Sequence, residues 1–471
     1  MRSITALLAS IVLVAPRLAA SDAAAYGEQQ REILVAIEEI EAREGPYSAA
    51  LGDELARLIV LYLENEEHAL ALVAIERALQ VARANKGLYS LEQVPLMKLR
   101  LESEEALGNH EAVWSLEQEL LKLARRHPDD PESVPVLKYV ADRQKEVLAR
   151  VVGSNEIPPQ VILGCYYDLW ATNLGKHCPR AGSRATVVQG MLADAERNYA
   201  DAIAVLLRNE AYASEELREL EMELVRGAQL IHEEYEHKGN RGITGTRTKN
   251  EVPVPLVPWR PAAEAIEPWR SRMAPIMALA DWELPYGSAG TPEARFLEPG
   301  EPRDARFRAP YYRGRQSLRR LFAYSVAAGS ASAARASAIV AIADWDLLFS
   351  NNGLAAEGYA LAHDMLVQGG AGPAAIESLF MPALPVMLPS FEPNPLAPDE
   401  TRPATGYIDA SFAITKYGRA RDVEIRAAEN ATNAARAGLI GLLRENRFRP
   451  RLADGRVADA RPIVVRYYLY D

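Results

Sequence analysis

The chain has 471 residues, of which 49% are hydrophobic, and this is enough to bury a large core and to form two or three domains. Its formal net charge of −11 argues against a dedicated nucleic-acid-binding protein, because such proteins carry a basic surface. An acidic protein of several domains is therefore expected.

The first 21 residues have the pattern of a cleaved export signal. Arg2 precedes the apolar run ITALLASIVLVAP, whose length of about 13 residues is short of the roughly 20 needed to span a bilayer. Small residues follow (RLAASDAAA), so cleavage is expected after Ala20 or Ser21, and a lipoprotein would need a cysteine where Ser21 stands. The composition is rich in alanine and arginine, which is typical of bacteria. The signal therefore predicts a periplasmic protein with no membrane span after cleavage.

Residues 22–240 are predicted to form a domain of helical repeats. The segments 45–86 and 87–128 align without a gap at a period of 42, and each is predicted to be a helix, a short polar turn and a second helix. A glycine before each unit ends the preceding helix, and a serine shortly after it suits a helix N-cap. The positions that coincide are Gly45/Gly87, Tyr47/Tyr89, Ser48/Ser90, His68/His110, Leu79/Leu121, Ala82/Ala124 and Arg83/Arg125.

The second of these units resembles the tetratricopeptide repeat (TPR) family. Its turn and second helix, EALGNHEAVWSLEQELLKLARRHPDD, have Gly108 at the bend and Ala112 at a closely packed position, which Leu70 takes in the first unit. The period of 42 exceeds the family's usual length of about 34. The resemblance implies an α-α superhelix with a groove that binds peptides or proteins. A second TPR-like section is predicted at 313–380, where one helical face carries Ala355, Tyr359 and Ala362.

Cys165 and Cys178 are the only cysteines of the chain, with twelve residues between them. In an oxidising compartment they are expected to form a local disulfide bond, which would contribute roughly 3 kcal/mol by restricting the unfolded chain. The alternative is zinc ligation together with His177, but this site lacks a fourth ligand nearby.

Two proline-rich segments interrupt the helical pattern. Residues 241–312 are predicted to be a long irregular connection, since 250–310 hold eleven of the thirty prolines. Its aromatic residues Trp259, Trp269 and Trp282 are expected to pack on the helices. Residues 381–405 contain seven more prolines and are predicted to be a semi-rigid linker.

No motif for catalysis, for a cofactor or for a metal ion is found in the sequence. The nearest is IHEEYEH, but its His232 and His237 are five residues apart, about 140° around a helix, so they cannot act as the His-Glu-x-x-His pair of a zinc peptidase. Phosphate-loop, nucleophile-elbow and Cys-x-x-Cys patterns are absent. We therefore expect no enzymatic activity, no cofactor and no metal. An envelope hydrolase with a site in 250–310 is the alternative of this class.

Residues 406–471 change from helical to β periodicity. In GYIDASFAITK four apolar residues alternate with polar ones, and a second alternating run follows the turn at Gly418. This predicts an antiparallel hairpin with one covered face. The segment ENATNAARAGLIGLLREN is predicted to be the covering helix, and a last strand is predicted from Ile463 to Tyr470. The apolar face of the first strand comprises Ile408, Ala410, Phe412 and Ile414.

This ββαβ order resembles the C-terminal domain of the TonB family. The segment LRENRFRPRLADGR is similar to that family's helix-to-strand region. The resemblance implies a periplasmic domain that pairs an edge strand with a short peptide of an outer-membrane receptor. It also implies that the last strand faces the partner, where Arg461 and Arg466 are expected to add positive charge. The expected partner-binding residues are Ile463, Val465, Arg466, Tyr467 and Tyr468.

The predicted fold is mainly α, a TPR-like α-α superhelix, with a small C-terminal α+β domain. The predicted function is protein binding or scaffolding in the periplasm, with partners among envelope proteins such as an outer-membrane receptor or a transducer component, and with no nucleic acid. Participation in TonB-dependent transport is the alternative, although a transducer needs a retained transmembrane helix and none is predicted after signal cleavage, and RPATGYI replaces the family's Tyr-Pro pair. The last strand also has an alternative role, in which it completes the sheet and is covered by the helical body.

Overall fold

In the computed structural model of this chain, the structure describes residues 20–153, 184–241, 305–453 and 455–470. This part is mostly helical and has a small sheet region near its C-terminal end, which confirms the predicted class of a mainly α chain with a small α+β part. The chain divides into two units, Met1–Glu210 and Ala211–Asp471. Residues 1–19 of the predicted signal, both cysteines and the tryptophans of the proline-rich connection lie outside the described residues.

The helices of the first unit each pack on the next along the described chain. They are α1 (Ala20–Glu44), α2 (Leu51–Glu64), α3 (His68–Lys86), α4 (Val94–Ala106), α5 (His110–Arg125), α6 (Val134–Gly153) and α7 (Arg184–Arg208). Short 3₁₀ turns at Leu91–Gln93 and Pro131–Ser133 lead into α4 and α6.

The two serines predicted as N-caps lie at turns that precede the helices. Ser90 Oγ accepts a hydrogen bond of 3.2 Å from Glu92 N and caps the 3₁₀ turn before α4. Ser48 Oγ accepts one of 3.2 Å from Ala50 N, and α2 begins one residue later. The two repeats therefore enter their first helices in a similar way.

The repeat extends to a third copy in the structure. Gly45 and Gly87 both have a positive φ, of 91° and 96°, in the equivalent turns before α2 and α4. At the end of each helix pair, a polar side chain contacts a backbone carbonyl at the start of the same pair. The distances are 2.8 Å from Asn85 Nδ2 to Tyr47 O, 2.6 Å from His127 Nε2 to Tyr89 O, and 3.1 Å from Asn209 Nδ2 to Asp129 O. The pairs α2/α3, α4/α5 and α6/α7 are therefore copies of one unit, and residues 154–183 connect the two helices of the third copy.

The helical part of the second unit comprises α8 (Glu215–Arg241), α9 (Ala305–Ala327), α10 (Ser332–Leu348), α11 (Asn352–Gln368) and α12 (Pro373–Phe380). α8 packs on α9, α9 on α10, and α10 on α11. Trp345 and Tyr359 are buried in their common core, and Trp345 Nε1 donates a hydrogen bond of 2.8 Å to Tyr311 O.

The boundary predicted at residue 240 differs from the one in the structure, because α8 belongs to the second unit. Apolar residues of α8 lie in the core of the second unit, and a buried ion pair adds to this packing. Glu221 on α8 accepts two hydrogen bonds of 2.7 Å from Arg320 on α9, and a third of 3.0 Å from Tyr324 Oη. Residues 242–304 therefore connect two helices that pack on each other.

The C-terminal region has the predicted order of hairpin, helix and last strand. Its elements are β1 (Met387–Leu388), β2 (Gly406–Ile414), β3 (Ala420–Glu429), α13 (Asn433–Glu445), β4 (Arg447–Phe448), β5 (Arg451–Ala453), β6 (Arg456–Ala458) and β7 (Ile463–Leu469). β2 lies between β3 and β7 and is antiparallel to both. One face of this sheet is covered, with Leu443 of α13 buried among Ile408 and Phe412. Gly418 turns the hairpin with a φ of 70°, and a Cβ there would lie 2.4 Å from Phe448 O.

The segment 381–405, predicted as a linker, is a packed part of the second unit. β1 within it pairs with β4, and Leu396 is buried in the core of the sheet. Ser390 Oγ donates a hydrogen bond of 2.6 Å to Asp344 on α10, and Arg449 binds the same carboxylate at 2.6 and 3.0 Å. Proline content indicates a stiff backbone but not whether it is solvated, so the sequence alone did not reveal this packing.

Candidate peptide-binding edge of the C-terminal sheet

β7 is an edge strand whose pairing with β2 is regular. The Cα partners run without a break from Gly406 opposite Leu469 to Phe412 opposite Ile463. Among the described residues, the backbone hydrogen bonds of β7 go only to β2 and to Thr405, whose N–H donates to Leu469 O at 2.8 Å. The outward N–H and C=O groups of β7 can therefore bind another extended chain.

β3 forms the opposite edge and is irregular. Its pairing with β2 shifts register at two points, and Asp422 has a positive φ of 53°. Bulges and exposed charges are the features by which natural sheets prevent further pairing at an edge. The charged residues of β3 are Arg421, Asp422, Glu424, Arg426 and Glu429. The sheet thus has one blunted edge and one regular edge.

The predicted partner-binding residues all lie on β7, but on its two faces. Those that pack on the covered face are Ile463, Val465 and Tyr467, of which Val465 is 6% exposed. Arg466 and Tyr468 alternate with them and lie on the opposite face. Val464 was not predicted, yet it is 64% exposed on that same face. The alternation would have identified it, since it stands between two core positions.

Arg466, which was expected to add positive charge to this edge, is paired with a carboxylate of the neighbouring strand. Its guanidinium donates two hydrogen bonds to Asp409 on β2, at 2.8 and 2.9 Å, and lies 4.0 Å from the centroid of the Tyr407 ring. These hydrogen bonds from Arg466 lower the pKa of Asp409 below its ordinary value. The charge at the middle of β7 is therefore compensated, because the two residues are directly opposite in the register. The two residues are 57 apart in the sequence, so no local pattern indicated that they pair.

The second unit contains two buried aspartates, Asp344 and Asp346, each in an ion pair with an arginine. Asp346 accepts hydrogen bonds from Tyr311 Oη at 2.6 Å and from Arg315 Nε at 2.8 Å. Burial raises the pKa of Asp346 in opposition to Arg315. Asp344 is similarly enclosed, since Tyr359 Oη donates to it at 2.7 Å in addition to the bonds from Arg449. Both carboxylates have satisfied partners within a packed core, which is typical of structural ion pairs.

Within the described ranges, no group of three or more histidine, cysteine, aspartate or glutamate residues could hold a metal ion. No helix among those residues combines the length and the apolar character required to cross a membrane. His232 and His237 fall on α8, at positions whose side chains lie outside the described part.

No family model matches the chain, and no curated protein matches it.

Proposed function

We propose that this protein is an exported, non-enzymatic binding module, in which TPR-like helical repeats are combined with a TonB-C-like domain that captures an extended segment of an envelope protein along β7. The observation that supports the proposal most is the contrast between the two edges of the sheet. β7 is regular and uncharged apart from the compensated Arg466, whereas β3 is bulged and charged.

Strand addition explains how such an edge binds. An added strand would form main-chain hydrogen bonds with the outward groups of β7, and its alternate side chains would lie beside Val464 and Tyr468 on the open face. Backbone bonds supply affinity, while the neighbouring side chains supply selectivity. The buried bonds of Arg449, just after β4, to Asp344 hold the C-terminal region against α10. A bound segment would therefore be positioned relative to that helix.

Site-specific photo-crosslinking in intact cells tests this function. A benzophenone amino acid is placed at Val464 on β7 and, as the matched control, at Glu424 on β3. We expect a discrete protein adduct from position 464 and none from position 424. The segment of the partner that is crosslinked should have an extended conformation. An outer-membrane receptor or transducer component as the adduct would favour TonB-dependent transport, and an assembly factor would favour scaffolding. Equal adducts from both positions, or none from 464, would contradict the proposal.

A further inference from the structure

A small cavity lies at the end of the sheet where β7 begins. Ile463, the first residue of β7, and Arg451 on β5 line it together. Its other walls come from the end of α12, from the proline-rich segment before β2, from β2 and from the residue after β4: they are Phe380, Pro382, Pro385, Val386, Ile414 and Arg449. The cavity has room for about one water-sized group.

Arg451 carries an uncompensated charge at this cavity. Its side chain is half-buried, and among the described residues its guanidinium has neither an ion-pair partner nor a hydrogen-bond acceptor. Arg449 differs, because it binds the Asp344 carboxylate and also donates to Leu379 O at 3.0 Å. A guanidinium held partly out of water without a counterion favours the binding of an anion.

Arg461 adds a second positive charge at the same end of the edge strand. It precedes β7 by two residues, is exposed, and has no partner in the part of the chain that the structure describes. The neighbouring carboxylate of Asp459 is already engaged, since it accepts a hydrogen bond of 2.8 Å from Lys416 N and lies 3.8 Å from Arg421. The start of β7 therefore offers two guanidinium groups to an anionic group of a bound chain.

The direction of strand pairing determines which end of a bound chain reaches these arginines. β7 runs from Ile463 to Leu469, so a strand that pairs with it in antiparallel direction has its C-terminal end beside Ile463. β7 already pairs with β2 in that direction, and antiparallel pairs are slightly more stable per residue than parallel ones. The C-terminal end of an antiparallel partner strand is thus the end that meets the arginines.

The walls of the cavity favour a chain end over an internal segment. Pro382, Pro385 and Val386 stand beside Ile463, so little space remains on the covered face for a chain that continues past it. A terminal carboxylate needs no such space, and guanidinium groups bind carboxylates through short charge-assisted hydrogen bonds.

We propose that the β7 edge selects the C-terminal residues of its partner, which add an antiparallel strand and place their terminal carboxylate at Arg451 and Arg461. This inference rests on the proposed capture along β7 and adds what is captured, a free chain end. Backbone hydrogen bonds hold the added strand, and the carboxylate fixes its register, because only one register brings the chain end to Ile463.

Two peptides that differ only at the C-terminus test the inference on the full chain. The probe has seven residues, the length of β7, in which threonine alternates with valine, and a dye on a serine–glycine tail at its N-terminus. One form ends in a free carboxylate and the other in an amide. We expect the amide to bind about tenfold more weakly or worse, because it cannot form the charge-assisted bonds. Arg451→Gln should weaken binding of the carboxylate form to a similar extent and leave binding of the amide form unchanged.

Arg436→Gln is the matched control for the loss of positive charge. Arg436 is exposed on α13, which packs next to β3, the other edge strand. This variant should bind both peptides as the wild type does, so a general attraction between an anionic peptide and a basic region would appear as equal losses in the two variants. If Arg451→Gln lowers Tm, Arg461→Gln, at an exposed position, takes its place.

The outcomes distinguish this inference from the proposed function. Binding of neither peptide, equal binding of both, or equal losses in Arg451→Gln and Arg436→Gln would overturn the selection of a chain end. Full binding of an amide peptide whose last residue is aspartate would also overturn it, since an acidic side chain would then serve as well. In cells, an adduct from Val464 that maps to the last residues of the partner supports both proposals. An adduct that maps to an internal region leaves strand capture in place and overturns only the selection of a chain end.

Discussion

Arg466 lies opposite Asp409 in the register of β7 and β2 and binds its carboxylate through two hydrogen bonds. We expect Arg466→Glu to lower Tm more than Arg466→Gln, because the glutamate places like charges directly opposite each other. The exchanged pair Asp409→Arg/Arg466→Asp should recover most of the loss. Thermal unfolding followed by circular dichroism measures the order, and equal Tm values for the glutamate and glutamine variants would exclude the pairing.

The same pair predicts how stability depends on pH. Hydrogen bonds from Arg466 depress the pKa of Asp409 in the folded state. A group with a depressed folded pKa stabilises the protein above its ordinary pKa, near 4 for aspartate, and this contribution is lost as the pH falls through the folded value. The difference in unfolding free energy between wild type and Arg466→Gln should thus be constant at neutral pH and vanish in strong acid. A difference that persists there would point to packing on Tyr407 instead.

Among these single-residue changes, substitution of Arg449 is expected to reduce the unfolding free energy most. It binds Asp344 at 2.6 and 3.0 Å, and removing it leaves a buried carboxylate without its cation. We expect Arg449→Met to reduce the unfolding free energy by about 3–5 kcal/mol. The double variant Asp344→Asn/Arg449→Met should lose less, because no charge is then buried. Urea unfolding measures both, and a double variant that is no more stable than the single one would contradict this account.

Among the elements, β7 permits a test that uses adjacent positions. Neighbouring residues of an edge strand direct their N–H groups alternately toward the sheet and away from it. Proline removes one donor, so Val464→Pro and Val465→Pro should differ: one weakens the pairing with β2, and the other removes an outward donor from a folded sheet. The variant that keeps the wild-type circular dichroism spectrum should lose the crosslinked partner. If it retains the partner in full, recognition does not proceed through the β7 edge.

Local sequence patterns predicted most helices and strands. The domain boundary and the packing of the linker involve ion pairs between residues far apart in the sequence. The alternation of Ile408, Ala410 and Phe412 indicated β2, and the period of 42 indicated the helix pairs of the first unit. The packing of α8 in the second unit includes the ion pair of Glu221 and Arg320, which are 99 residues apart. The packing of 381–405 and of the sheet depends on Asp344 and Arg449, which are 105 residues apart. Such contacts leave no periodic signal, so the boundary and the packed linker could not be read from sequence.

At the scale of the molecule, the second unit should behave as one folding body. β4 pairs with β1 of the segment before the hairpin, and both Ser390 and Arg449 bind the Asp344 carboxylate of α10. We expect a specific protease site inserted after the exposed Glu400 to be cut without release of the C-terminal fragment. Gel filtration in native buffer should recover both pieces in one peak, and the uncut protein serves as the control. Separate elution of the fragment would show that the sheet is an independent, tethered domain.

The contacts that end each helix pair of the first unit have a consequence for its engineering. Asn85 and His127 reach back 38 residues to their carbonyl partners, whereas Asn209 reaches back 80 residues to the equivalent one. The start and the end of each helix pair are therefore joined in the same way, while the number of residues between the two helices differs from copy to copy. We therefore expect a reporter domain inserted between α6 and α7 to leave their pairing intact, because the two helices pack on each other and are also joined by the hydrogen bond from Asn209 to Asp129.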